Sequence, residues 1–191
     1  TILASVLLLA MSACEENEID RNAPVEDMAV RNELVAYIEA GDTKTSLNEI
    51  SNGIYKPYWS EEDSIGVMID GKEKPARYRL SEGAGSSYGV FSGFTKGSSY
   101  VAYYPYDEKL YLDGDILSVY LPFVQNYAEG SFGGAAYPMI AVSDTEELDF
   151  RNLCSVLKLS ITGNETVESI SFKPNDETIK VSGKAEVDIQ Y

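Results

Sequence analysis

Histidine is absent from the 191 residues. That removes the commonest general base and the commonest transition-metal ligand together. Cysteine occurs only at Cys14 and Cys154. If Cys14 is otherwise engaged, Cys154 has no partner and no disulfide framework exists. Cys154 stands beside Val156 in an apolar run, which suits a small core residue rather than a reactive thiol. Basic side chains are scarce, 15 Lys and Arg against 31 Asp and Glu, for a net charge of -16. This argues against nucleic acid as a partner, because phosphate binding takes clustered Lys and Arg. It also disfavours electrostatic docking on anionic lipid, and the charge reads as solubility and mutual repulsion. No apolar run reaches the roughly 20 residues that span a bilayer. Helical periodicity of useful length, internal repeats and any motif calling for a cofactor or a metal are all missing.

What is present begins at the N-terminus. An apolar run from Ile2 to Met11 leads into Ser12, Ala13 and Cys14, and Glu15, Glu16 and Glu18 follow at once. The run is of the length of the apolar part of a cleaved secretory signal, about 7–15 residues. Small residues and then a cysteine complete the pattern of a bacterial lipoprotein signal. On this reading residues 1–13 are removed, and Cys14 becomes the first mature residue, carrying lipid on its sulfur and its amine. The competing reading is a buried N-terminal helix or strand with an incidental cysteine. The chain opens at Thr1 with no basic region ahead of the apolar run and ends at Tyr191 within a strand pattern. Both ends are therefore expected to continue in a longer product.

Residues 14–32 are acidic, include Pro24 and show no sustained period, and are read as a tether. From there the pattern is short strands between turn residues, in keeping with 14 Tyr and abundant Val, Ile, Ser and Thr. Candidate strands are Leu34–Glu39, Ser64–Ile69, Ala76–Leu80, Tyr88–Ser92, Tyr100–Tyr104, Ile116–Leu121 and Pro138–Val142. The clearest alternation is C-terminal, with Ile179, Val181, Gly183, Ala185, Val187 and Ile189 on one face and polar residues on the other. Leu153, Leu157, Leu159 and Ile161 share a face in the same way, and Ile170 and Phe172 continue the theme. Asp70-Gly71 and Asp113-Gly114 are hairpin signals. The spacing predicts an all-β, antiparallel sandwich. Residues 33–148 form one domain, and 149–191 either complete it or open a second.

Patterns that could carry chemistry are few. Gly85-Ser86-Ser87-Tyr88-Gly89 fits the serine-hydrolase G-x-S-x-G pattern. It lacks the histidine that would take the serine proton, and it enters a strand rather than a helix, so it is read as a loop. Carboxylates are numerous, but no pair stands in a setting that would raise one pKa. Asp113-Gly114-Asp115 lacks the further oxygens of a calcium loop and is read as a turn. Tyr55, Tyr58 and Trp59, then Tyr100, Tyr103, Tyr104 and Tyr106, form two aromatic clusters. They would suit sugar stacking if exposed, and core filling if not. No catalysis is expected.

An ordered set of segments resembles a known family. Asp42-Thr43-Lys44-Thr45-Ser46-Leu47 is followed by Trp59-Ser60-Glu61-Glu62-Asp63-Ser64-Ile65-Gly66-Val67. Tyr100-Val101-Ala102-Tyr103-Tyr104-Pro105-Tyr106 comes next, then Leu121-Pro122-x-x-Gln125, then Asp149 through Leu159. Together with the lipoprotein signal, these resemble the fimbrillin-like lipoproteins of Bacteroidetes, the subunits of type V pili. The resemblance implies two tandem β-sandwich domains, transthyretin-like or immunoglobulin-like, of which residues 33–148 are the first. It implies a lipid anchor at the outer face of the outer membrane, with the acidic residues after Cys14 as the export tag. The implied role is a structural, adhesive fimbrial subunit whose partners are the membrane, other pilus subunits and a host protein or glycan.

Assembly in that family proceeds by proteolytic removal of the first strand and its replacement by a strand from another subunit, a case of strand addition to an open sheet edge. In this chain the removable strand corresponds to Leu34–Ala40. Leu34, Ala36 and Ile38 lie on one face, and Val35 and Tyr37 on the other. Cleavage corresponds to Lys44, where the family usually has Arg; Arg31 is the other possible site, but a cut there would leave the strand in place. Asp63-Ser64-Ile65 matches the O-glycosylation pattern of the phylum, with Ser64 as acceptor. The alternative is an outer-membrane glycan-binding lipoprotein of a nutrient-uptake system, stacking sugars on Trp59, Tyr103 and Tyr104.

Overall fold

The computed structural model describes residues 31–38, 48–51, 54–128, 131–133, 136–155, 157 and 159–190. Among them the chain is all β, with no helix. The strands are β1 (Asn32–Ile38), β2 (Asn48–Ser51), β3 (Ile54–Lys56), β4 (Ser64–Ile69), β5 (Ala76–Glu82), β6 (Tyr88–Gly93) and β7 (Tyr100–Tyr104). They continue as β8 (Tyr111–Asp113), β9 (Ile116–Leu121), β10 (Tyr127–Ala128), β11 (Ser131–Phe132), β12 (Met139–Ser143), β13 (Glu147–Asn152) and β14 (Gly183–Asp188).

Seven of these close into one barrel in the order β1, β13, β12, β7, β4, β5, β6. Spacing alone predicts a two-sheet sandwich. The barrel closes because β1 is hydrogen-bonded along both edges. It runs antiparallel to β6, with Leu34 opposite Phe91 and Ala36 opposite Gly89. It runs parallel to β13, with Ala36 opposite Leu148 and Ile38 opposite Phe150. A strand with both edges paired leaves no open sheet edge. Alternation sends Leu34, Ala36 and Ile38 inward, as expected from a pleated strand with one dry face.

The barrel is filled, not hollow. Trp59 lies just ahead of β4 and puts its indole edge-on against three rings. Its centroid is 4.9 Å from that of Phe91, 5.5 Å from Tyr104 and 5.6 Å from Phe150. Its backbone is clamped to the β5–β6 loop: the Trp59 N–H donates to the Ser86 carbonyl and the Gly85 N–H to the Trp59 carbonyl, both at 2.8 Å. The wall gives way where the indole sits. A Cβ on Gly89 would lie 2.7 Å from Trp59 Cδ1 and 2.8 Å from Leu80 Cδ1.

A second layer covers part of the barrel's outer wall. β14, β9 and β8 form a three-stranded antiparallel sheet in that order. Its Leu112, Leu117 and Val119, with Leu110, pack on Met68 of β4 and on Val101 and Tyr103 of β7. Both faces of β4 and β7 are thus covered, which explains why Ile65–Ile69 and Tyr100–Tyr104 are apolar or small at nearly every position. Each large side chain buried in either core contributes about 1.5–3 kcal/mol of transfer free energy.

The turn readings match the backbone. Asp70 and Gly71 both have positive φ, 52° and 71°, inside a turn closed by the Lys72 N–H donating to the Ile69 carbonyl at 3.1 Å. Asp113 and Ile116 pair across the two-residue turn Gly114-Asp115. In the C-terminal region β13 is hydrogen-bonded into the barrel along both edges, so position 148/149 lies inside a strand. β14 is shorter than the alternation of 179–189. Leu157, Leu159 and Ile161 form no strand and are each more than half exposed. An alternating pattern specifies a face, but a strand also needs a neighbour to complete its backbone hydrogen bonds.

Candidate functional site

Two residues nominated by sequence, Cys14 and Lys44, lie outside the described residues. Ser64 is described and opens β4 in a covered position. Its hydroxyl accepts a hydrogen bond from Arg77 Nη2 at 3.1 Å, and its carbonyl accepts from the Tyr106 N–H at 2.8 Å. In the folded chain this hydroxyl is therefore occupied and shielded.

The strand nominated as removable is β1. Beyond its three inward apolar residues, it is held at its start by Asn32, whose amide donates to the Tyr78 hydroxyl at 3.3 Å. On the outer face Tyr37 and Tyr88 face each other across the ladder at 5.6 Å. Near the far end the Ile38 N–H donates to the Ser87 carbonyl at 2.9 Å. Without β1, the backbone edges of β6 and β13 would be unpaired and an apolar slot would open between them.

The aromatic clusters divide. Trp59, Tyr103 and Tyr104 are 1, 2 and 3% exposed and belong to the cores. Burial pushes both tyrosine hydroxyls far above the usual phenol range. Tyr104 donates to Asp63 Oδ1 at 2.8 Å. Burial raises the Asp63 pKa, opposed by hydrogen bonds from the Ser60 N–H and the Tyr104 hydroxyl. This cluster ties the turn before β4 to the barrel and offers no open face to a ligand.

A groove of about 450 Å³ does open beside it. Tyr103 borders it, along with Pro105, Tyr106, Asp107 and Glu108 from the turn after β7. Tyr120 and Pro122, at the end of β9, form the rest of its lining. The groove thus lies where the barrel wall meets the covering sheet. The Arg77 guanidinium stands over the Tyr106 ring, 4.9 Å from its centroid. Lys109 Nζ stands over the Tyr120 ring at 5.5 Å. The turn is stiffened by Asp107, whose Oδ1 accepts from the Lys109 N–H at 2.9 Å and whose carbonyl accepts from the Leu110 N–H at 3.2 Å.

Tyr106 is visible in sequence as the end of a tyrosine run, whereas Asp107, Glu108 and Tyr120 are not singled out there. A signal for Tyr120 exists: in Ile116–Leu121 it falls on the face opposite Leu117 and Val119, which puts a large ring on the wet face of the strand.

The hydrolase-like stretch is a turn. Gly85 has φ of 78°, and Ser86 Oγ accepts a hydrogen bond from the Tyr88 N–H at the entry to β6. Among the described residues no three of His, Cys, Asp and Glu converge closely enough to hold a metal ion. No protein family, no curated protein and no solved structure matches the chain.

Proposed function

We propose that this chain is a fimbrillin-like surface lipoprotein, a structural and adhesive pilus subunit that does no catalysis and assembles by strand exchange. In this reading lipid on Cys14 holds it at the outer face of the outer membrane. The barrel with its covering sheet corresponds to the first of two tandem β-sandwich domains, transthyretin-like or immunoglobulin-like.

The observation that carries the reading is the setting of β1. It is the first described strand, it lies between two strands distant in sequence, and it delivers three alternate apolar side chains to the core. Its removal after cleavage at Lys44 would create the acceptor that strand addition needs: two unpaired edges flanking pockets for alternate side chains. A second observation supports it. Leu157, Leu159, Ile161, Ile170 and Phe172 stand exposed in a strand-like pattern, with no ladder among the described residues. Such side chains suit strands that are completed by a further sheet.

The glycan-uptake alternative assigned stacking to Trp59, Tyr103 and Tyr104. Those rings are buried, so they give that alternative no support.

The test is limited trypsin treatment of the full-length precursor, followed by size and by intrinsic tryptophan emission, to which the buried Trp59 contributes. A discrete trim near Lys44 with ladders of higher mass is the expected result. A trimmed protein that remains a monomer under all conditions ends the proposal.

A further inference from the structure

The groove at the seam of the two layers is not needed for strand exchange, and its composition is specific. Three tyrosines and two prolines supply apolar surface, while Asp107 and Glu108 supply carboxylates. Each of Tyr106 and Tyr120 already has a cation of this chain over its ring, Arg77 and Lys109. Tyr120 is nonetheless 49% exposed. Its volume is within the range of small-molecule sites, roughly 300–1,000 Å³.

Charge selects among ligand classes. An anion would meet Asp107 and Glu108 on a chain of net charge -16. A cation would meet the positive charges of Arg77 and Lys109 beside the rings, while Tyr120 keeps exposed ring surface that Lys109 does not cover. Locally the two acids and the two bases balance. A neutral, hydroxyl-rich ring fits all of these groups at once. Its C–H face lies on tyrosine, its hydroxyls donate to carboxylates, and its oxygens accept from Lys109.

The groove is held from behind by β4 and β5. Tyr106 is fixed by its N–H on the Ser64 carbonyl, and the Arg77 over its ring is itself bonded to the Ser64 hydroxyl. Ser64 is thus a positioning residue for this wall.

We propose that this groove binds a neutral glycan, one pyranose ring lying against Tyr120 with Asp107 and Glu108 accepting its hydroxyls. The site is independent of strand exchange, since it uses only residues of the intact, uncleaved chain.

The experiment is affinity electrophoresis of the uncleaved chain through gels containing dextran, mannan or galactomannan. Polygalacturonate and an oligolysine peptide serve as anionic and cationic probes. Retardation by at least one neutral polysaccharide is expected, weakened about tenfold or more by Tyr120→Ala and measurably by Glu108→Gln. Tyr127→Ala, at an exposed ring outside the groove's lining, should change nothing. Circular dichroism and Trp59 emission report whether each variant is folded. If Tyr120→Ala misfolds, the exposed Glu108→Ala decides in its place. No retardation of the wild type by any neutral polysaccharide overturns the proposal. So does retardation that survives the groove variants, or binding to the anionic or cationic probe alone.

Discussion

At Gly89 a single missing Cβ makes room for the indole that fills the barrel. Ala at this position would meet Trp59 Cδ1 and Leu80 Cδ1 well inside normal contact. Gly89→Ala should destabilise the fold by about 1–3 kcal/mol. Gly163→Ala, with nothing within 4 Å, should stay within about 0.5 kcal/mol of wild type. Urea titration followed by circular dichroism measures both. Two aspartates carry opposite pH signs. The N–H groups of Ser98 and Ser99, then the Ser98 hydroxyl, hold Asp70 below the ordinary carboxylate value. Its contribution to stability is present above the unfolded-state pKa of about 3.8 and is lost as pH falls through the lower folded value. Asp63, raised by burial, works the other way: its ionised form costs stability, and the fold recovers that cost as pH falls through its folded pKa. Melting temperatures across the acid range should show Asp70→Asn least stable relative to wild type at neutral pH, with the difference closing in acid. Asp63→Asn should lose ground to wild type as the wild-type carboxyl takes up its proton. The residue types at these positions are plain in the sequence. Their partners, Ser98 for Asp70 and Tyr104 for Asp63, come from 28 and 41 residues away, a separation that no local pattern encodes.

Among elements, β1 is the most informative. Its alternation is legible in Asn32–Ile38, and the faces read from it are those observed. Leu34→Ala should cost about 2–5 kcal/mol, because it empties a fully buried site between two strands. Glu33→Ala, on the exposed face, should change stability by less than about 0.5 kcal/mol. Thermal unfolding of the two variants tests which face β1 buries. The other wall strands were readable for the same reason: a side-chain period of two is a local property. β13 was harder. Leu148 and Phe150 alternate correctly, but enough strands for a sandwich precede the segment, and only its pairing to β1 and β12 reveals its place. Conversely, the alternation of Leu157, Leu159 and Ile161 is as good as that of β1, yet it makes no strand among the described residues.

For the whole molecule, the lipid anchor is the claim that decides where it works. Cys14 should carry acyl chains, and mass spectrometry of the mature protein from a membrane fraction should find their added mass on that residue. An unmodified Cys14 thiol on protein recovered from the cytosol would remove both the anchor and the pilus reading. By itself the sequence determined the β class, the wet and dry faces of most strands and the hairpin turns, because these follow from side-chain alternation and local backbone preference. It also shows that none of these 191 residues can supply an imidazole and that acidic side chains outnumber basic ones, 31 to 15. Only the tertiary structure decided that the wall closes as a barrel, that Trp59, Tyr103 and Tyr104 turn inward, and that Tyr106 and Tyr120 share a groove. Closure depends on which strands hydrogen-bond across long separations, such as β1 with β13. Whether a tyrosine is buried or offered to a ligand depends on whether a second layer lies over it, and neither is a property of any short stretch of chain.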